Sequence, residues 1–188
     1  MKKNPFVISL IGLSSSGKTT LGHRLYTHLR EEKPQSLQLI DGDNVRDFLR
    51  GKIGYTPKDR KLSAAIQTQL AYFLYQHGIS SIVCNISPFE ESRIFARQKI
   101  PCLVEVYVKC SLETCMDRDR KLGKNVYKPV LEGATSNVNV VGVDIDFEEP
   151  LSADITLNTE VEDTEDSFSR LIEYLAVKLE YSMSMSLV

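Results

Sequence analysis

The 188-residue chain has no tryptophan, three histidines and four cysteines, and its charges nearly cancel, with 23 basic against 25 acidic side chains. Each shortage removes a class of function. A formal charge of −2 gives no global field for nucleic acid or a membrane surface, so small anions must be met by local basic groups. Cys84, Cys102, Cys110 and Cys115 show no CxxC and no Cys/His ligand spacing, which favours buried free thiols in a reducing cytoplasm over a metal site or disulfide framework. No apolar run approaches the roughly 20 residues a bilayer-spanning helix needs. The stretch behind Met1-Lys2-Lys3 is short, broken by Ser9 and unlike a signal peptide. The length fits one domain, residues 1–180, with a frayed Ser/Met tail at 181–188.

What is present begins at Gly12-Leu13-Ser14-Ser15-Ser16-Gly17-Lys18-Thr19, which fits G-x-x-x-x-G-K-[ST] at every fixed position. The apolar run Val7–Ile11 before it reads as a buried strand, and Thr20 onward, with Leu21, Leu25 and Leu29 on one stripe, as a helix. In that context Gly12 and Gly17 let successive N–H groups converge on phosphate oxygens, and the helix N-terminus adds positive potential. Lys18 brings a full charge to the terminal phosphates, and the Thr19 hydroxyl is suited to Mg²⁺. The donor is thereby expected to be ATP with Mg²⁺, held by Gly12 and Ser14 through Thr20.

Further strands are expected at 36–40, 79–86, 102–108 and 153–157, alternating with helices. That alternation predicts an α/β fold of strands flanked by helices. Functional groups should collect at the carboxyl ends of the strands. Asp41-Gly42-Asp43-Asn44 follows the second strand. One carboxylate there can take the proton of an attacking hydroxyl while the other orders Mg²⁺. The third strand lacks a terminal aspartate, so Asp43 joins Thr19 as the expected metal anchor, although Asp-Gly-Asp-Asn is also an ordinary turn composition. Arg46 can balance an anionic acceptor, and Ser87-Pro88-Phe89 ends the third strand at the same edge. Leu62, Ile66, Leu70, Phe73 and Leu74 give one helix an apolar face. Arg118 to Lys124 reads as a basic lid over the triphosphate, with Arg118 and Lys121 as its nucleotide contacts, or as a solvated charged face.

These blocks, with Gly54-Tyr55-Thr56, Asp59-Arg60, Arg93, Tyr127-Lys128 and Gly142-Val143-Asp144 in the same order, resemble the adenylyl-sulfate (APS) kinases from about Phe6 to Thr159. The resemblance implies a five-stranded parallel sheet of the phosphate-loop NTPase/kinase fold, flanked by helices and carrying a lid. With the fold it implies transfer of the ATP γ-phosphoryl group to the ribose 3′-hydroxyl of adenylyl sulfate, in sulfate assimilation, by a homodimer. It implies Asp41 and Asp43 as the base and Mg²⁺-ordering pair. Arg46 and Arg60 face the acceptor's anionic end, Tyr55 its base, and Lys128 and Asp144 the substrate loop. Ser87, a phosphoserine position in some descriptions of the family, is read with Ile86, Pro88 and Phe89 as a substrate contact in direct in-line transfer. Three departures stand out, one of them a lid longer by a few residues around Leu122 to Val126. Where the family follows Asp-Arg with a stretch containing Asn-Ile-Arg-Arg, Asp59-Arg60 is followed here by Lys61-Leu62-Ser63-Ala64-Ala65-Ile66, without an expected arginine, and the family's Phe-Thr-Gly-Ile-Asp loop is Val140-Val141-Gly142-Val143-Asp144. They open a second acceptor, cytidine diphosphoramidate of a capsule-pathway relative, and a rival of another class, a non-catalytic nucleotide-binding regulatory module.

Overall fold

The computed structural model describes residues 5–32, 36–49, 51–131, 133 and 139–184. Strands β1 (Val7–Ile11), β2 (Leu37–Asp41), β3 (Ser80–Cys84), β4 (Leu103–Lys109) and β5 (Ile155–Asn158) form one parallel sheet in the order β2-β3-β1-β4-β5. β1 is central, Leu10 lying opposite Cys84 of β3 on one side and Val106 of β4 on the other. The chain therefore reverses its direction of travel across the sheet beside β1, and the loops leaving β1 and β3 open a crevice at that point.

Alternate residues of the strands feed two layers, as a period of two requires. Ile8, Leu10, Ile82, Val104 and Val106 pack against Leu21 and Leu25 of α1 (Lys18–Glu32) and Phe168, Leu171 and Leu175 of α7 (Thr164–Ser184). Val7, Ile40 and Val83 face Ala71 of α3 (Pro57–Gln76) and Ile100, which follows α4 (Glu90–Lys99). Each fully buried aliphatic side chain contributes about 1.5–3 kcal/mol of transfer free energy.

Three features depart from the sequence expectation. The Asp-Gly-Asp segment is not an open turn, because Asp41 caps a short helix, α2 (Gly42–Phe48), by accepting from Asp43 N–H at 2.9 Å. α3 starts earlier than its apolar spacing indicates, on a Thr56/Asp59 capping box with Pro57 in the first turn. Its buried stripe is Arg60, Ser63, Ala64, Gln67, Thr68 and Ala71, while Leu62, Leu70 and Phe73 face outward. Finally, α7 continues to Ser184, so residues 181–184 of the expected frayed tail are helical, and 185–188 lie outside the described residues. Within the expected 132–146 loop, residues 132 and 134–138 also lie outside the described residues; 139–146 fold on Asp144, whose carboxylate accepts from Val140 N–H at 2.8 Å. Among the described residues no helix is long and apolar enough to cross a membrane.

Candidate active site

The phosphate loop connects β1 to α1, and its shape excludes other residues at Gly12. There φ is +146°, and a Cβ would fall 2.4 Å from Val108 O. Ser15 and Gly17 also take positive φ, which turns the loop around the Lys18 ammonium. Lys18 is 7% exposed and donates to Leu13 O at 2.5 Å and Ser16 Oγ at 3.4 Å. Burial pulls its pKa from 10.5 down to about 8, a shift that the nearby Lys124 reinforces and Asp43 partly offsets. The next residue, Thr19, donates to Asp41 Oδ2 at 3.2 Å.

A cleft of about 570 Å³ opens beside the loop, between the end of β2, α3 and the 124–129 segment. Asp41, Asp43, Arg46, Tyr55, Arg60, Ile86, Ser87 and Pro88 all line it, so one cavity gathers most of the acceptor residues expected from sequence. Arg46 lies over the Tyr55 ring at 4.8 Å and donates to Gly54 O at 2.7 Å. Arg60 lies over the same ring at 5.5 Å and donates to Asn139 O. Its pKa falls to about 10, mainly through burial and then through the like charge of Arg46. Two cations held this close favour an anionic ligand, which relieves their repulsion. Ser87 is buried with φ +43°, its carbonyl accepting from the buried Arg93 at 2.8 Å. Arg93 also donates to Glu148 O at 2.7 Å, and Glu148 N–H to Pro88 O at 2.9 Å, so the strained turn is clamped from both sides.

A second cavity of about 340 Å³ lies on the other flank of the loop, lined by Gly17, Thr20, Arg118, Lys124 and Thr159. The basic segment connects the two clefts. Asp119, 2% exposed, accepts from Ser15 Oγ at 3.4 Å and from Tyr127 N–H at 3.3 Å, and the Tyr127 hydroxyl donates to Ser14 O at 3.2 Å. The basic segment is thus tied to the phosphate loop, and Lys124 borders both clefts.

Some expected site residues are placed elsewhere. Lys121 is exposed at the end of α5 (Leu112–Lys121) and lines neither cleft; Gly123 and Asn125, both at positive φ, turn the chain so that Lys124 does. Phe89 caps α4, and Lys128 and Asp144 also fall outside the cleft lining. The expected metal pair is Thr19 and Asp43, but the carboxylate hydrogen-bonded to Thr19 is that of Asp41, while Asp43 is exposed in the first turn of α2. Arg118 donates to both Thr159 oxygens, joining α5 to the end of β5. Sequence reading missed Lys124, Ser63, Gln67 and Asn85 as lining residues. The charge run was the available signal for Lys124, whereas Ser63 and Gln67 lie one turn apart among more conspicuous leucines.

The family model for adenylylsulphate kinase matches residues 4–158. The chain belongs to the adenylylsulphate kinase family. Members of that family similar to this chain include the adenylyl-sulfate kinase of Oceanobacillus iheyensis, 34% identical over 92% of this chain and 84% of its own. The cytidine diphosphoramidate kinase of Campylobacter jejuni is 35% identical over 94% of this chain and 100% of its own. Among solved structures, the Mycobacterium tuberculosis APS kinase in complex with AMPPNP and APS superposes with a TM-score of 0.79 at 26% identity, covering 92% of this chain and 98% of that one.

Proposed function

We propose that this member of the family transfers the γ-phosphoryl group of ATP to the ribose 3′-hydroxyl of adenylyl sulfate, giving 3′-phosphoadenylyl sulfate and ADP, as part of sulfate assimilation in the cytoplasm. The observation that carries the reading is the pair of clefts meeting at Lys18, Thr19 and Lys124, one flanked by the helix start and Arg118, the other by two carboxylates, two arginines and an aromatic ring.

In this reading the donor phosphates lie on the loop from Gly12 to Thr20, with Lys18 on the terminal groups. Asp43 takes the proton of the acceptor hydroxyl as that oxygen attacks phosphorus in line and ADP leaves. Arg46 and Arg60 hold the anhydride, and Tyr55 stacks on the base. Ser87 contacts the acceptor and forms no covalent intermediate. The residues present fit Mg²⁺, because Thr19 Oγ1 and Asp41 Oδ2, 3.2 Å apart, are the hard oxygen donors that ion takes alongside phosphates and water. When bound, the ion neutralises charge developing on the phosphate oxygens. The outward apolar stripe of α3, Leu62, Leu70 and Phe73, is suited to a second copy in a homodimer.

Cytidine diphosphoramidate is the second reading, favoured by Val140. It lines the cleft but is 2% exposed, packed with Cys110, Cys115 and Tyr127, so Tyr55 has no aromatic counterpart at that position. ADP release with adenylyl sulfate and with cytidine diphosphoramidate separates the two. Turnover of adenylyl sulfate at the higher kcat/KM is expected, and turnover of the second alone would replace the primary substrate. ATP binding with transfer to neither would return the chain to the regulatory class.

A further inference from the structure

The wall of the acceptor cleft contributed by α3 and the end of β3 holds polar groups that the fold leaves without partners. Gln67 is 3% exposed and lines the cleft; its Nε2 donates to Ser63 Oγ at 3.2 Å, and its Oε1 has no hydrogen-bond partner among the described residues. Asn85 lines the same cleft, directly after β3, and its Oδ1 is likewise buried and unpartnered. Leaving a buried polar atom unpaired is costly, so a group that persists in this state at a cleft is suited to a ligand.

Position narrows the ligand group. A Cβ added to Gly42 would lie 3.5 Å from both amide atoms of Gln67 and 3.2 Å from Cys84 O. The Gln67 amide therefore rests against the one residue between Asp41 and Asp43, and Asn85 follows Cys84, the register partner of Asp41. Arg46 and Arg60 both lie over the Tyr55 ring, and in the proposed reaction these three provide for the anhydride and base. The wall at Gly42 faces the part of the acceptor that must approach the two carboxylates, its ribose. A hydroxyl both donates and accepts, so it satisfies the amide in either orientation, whereas a sulfonate oxygen only accepts.

We infer that Gln67 and Asn85 bind the ribose hydroxyl adjacent to the one phosphorylated, making the enzyme selective for a ribonucleotide acceptor over its 2′-deoxy counterpart. The inference rests on the ribose 3′-hydroxyl being the acceptor. It assigns specificity to residues that hold the sugar, not to those that perform the transfer.

The test is an enzyme–substrate double-mutant cycle. The kcat/KM for adenylyl sulfate and for 2′-deoxyadenylyl sulfate is measured with the unmodified enzyme, Gln67→Met and Asn85→Ala, all in the presence of ATP·Mg²⁺. The unmodified enzyme should prefer the ribonucleotide by about 10- to 100-fold. In each variant that ratio should fall toward one, chiefly through KM, while turnover of the deoxy acceptor stays near its original value. An unchanged ratio in both variants, or an equal loss on the two acceptors, overturns the inference, because a purely structural role would depress both alike. Should one variant fail to fold, the other still moves or preserves the ratio. If the unmodified enzyme phosphorylates neither acceptor, the proposed reaction itself has failed and this assignment with it. A working enzyme indifferent to the 2′-hydroxyl overturns the assignment alone.

Discussion

The Thr19 hydroxyl donates to Asp41 Oδ2 across 3.2 Å, linking the last residue of the phosphate loop to the last residue of β2. Asp41 Oδ1 meanwhile accepts from Asp43 N–H. One carboxylate thus serves both the Thr19 hydroxyl and the first turn of α2, whose Asp43 lines the cleft. Two aspartates with only Gly42 between them are thereby placed differently, Asp41 tied into the scaffold and Asp43 exposed in the first turn of α2.

Asp43→Asn should lower kcat by about 10²–10⁴-fold, the usual worth of a positioned general base, with the ATP dissociation constant changed less than about threefold. Steady-state kinetics with ATP titrated separately checks this. Near-normal kcat would remove Asp43 from the transfer step.

The depressed Lys18 pKa gives a pH signature. The folded value of about 8 lies below the ordinary 10.5, so between these values the unfolded chain binds more protons and this group's contribution makes stability rise with pH. Bound phosphates favour the ammonium, so ATP binding should take up close to one proton at about pH 9 and almost none at about pH 6.5. Calorimetry in buffers of different ionisation enthalpy measures the uptake. Its persistence in Lys18→Met would assign the proton to another group.

Lys124→Ala and Lys121→Ala form a matched pair. Lys124 borders both clefts and Lys121 neither, so the first should cost about 10²-fold or more in kcat/KM and the second less than about twofold. Equal effects would mean that net charge in the segment matters more than position.

Tyr55→Leu should raise the acceptor KM by about 10- to 100-fold, from loss of base stacking of about 1–3 kcal/mol, while leaving KM for ATP unchanged. Since Arg46 and Arg60 both rest on this ring, some of the loss should come from their displacement. Lysine at 46 in the Tyr55→Leu background would then cost less than lysine at 46 alone.

Phe73, 58% exposed on the outward stripe of α3, tests the homodimer. Phe73→Glu should shift sedimentation from dimer to monomer without changing the thermal midpoint of the monomer by more than a few degrees. A monomeric unmodified protein would dispose of the proposed assembly.

The strands and the phosphate loop were legible because their signals are local. A run of buried apolar residues ending in Gly12 and Gly17 can be read without knowing what packs on it, and the five strands match the expected ones to within a few residues. α3 was read less well. Leu62, Leu70 and Phe73 form the apolar stripe that periodicity finds, yet this helix turns Ser63, Ala64 and Gln67 inward to wall a polar cleft. Ala65, where the family arginine is absent, is not part of that wall. The assumption that the most apolar face is the buried one fails where a helix borders a site instead of the core.

By itself the sequence determined the donor side: G-x-x-x-x-G-K-[ST] between a strand and a helix specifies a phosphate cradle through backbone angles and one charge, all encoded within eight consecutive residues. Only the tertiary structure decided how the acceptor side is assembled. Asp41, Arg60, Gln67, Asn85 and Lys124 are far apart along the chain and meet because the sheet order brings β1 beside β3 and lays α3 and the lid over their ends. Which basic residue of the lid points inward depends on two turns at positive φ, and which amides lack partners depends on burial. Neither is a property of any local stretch of sequence.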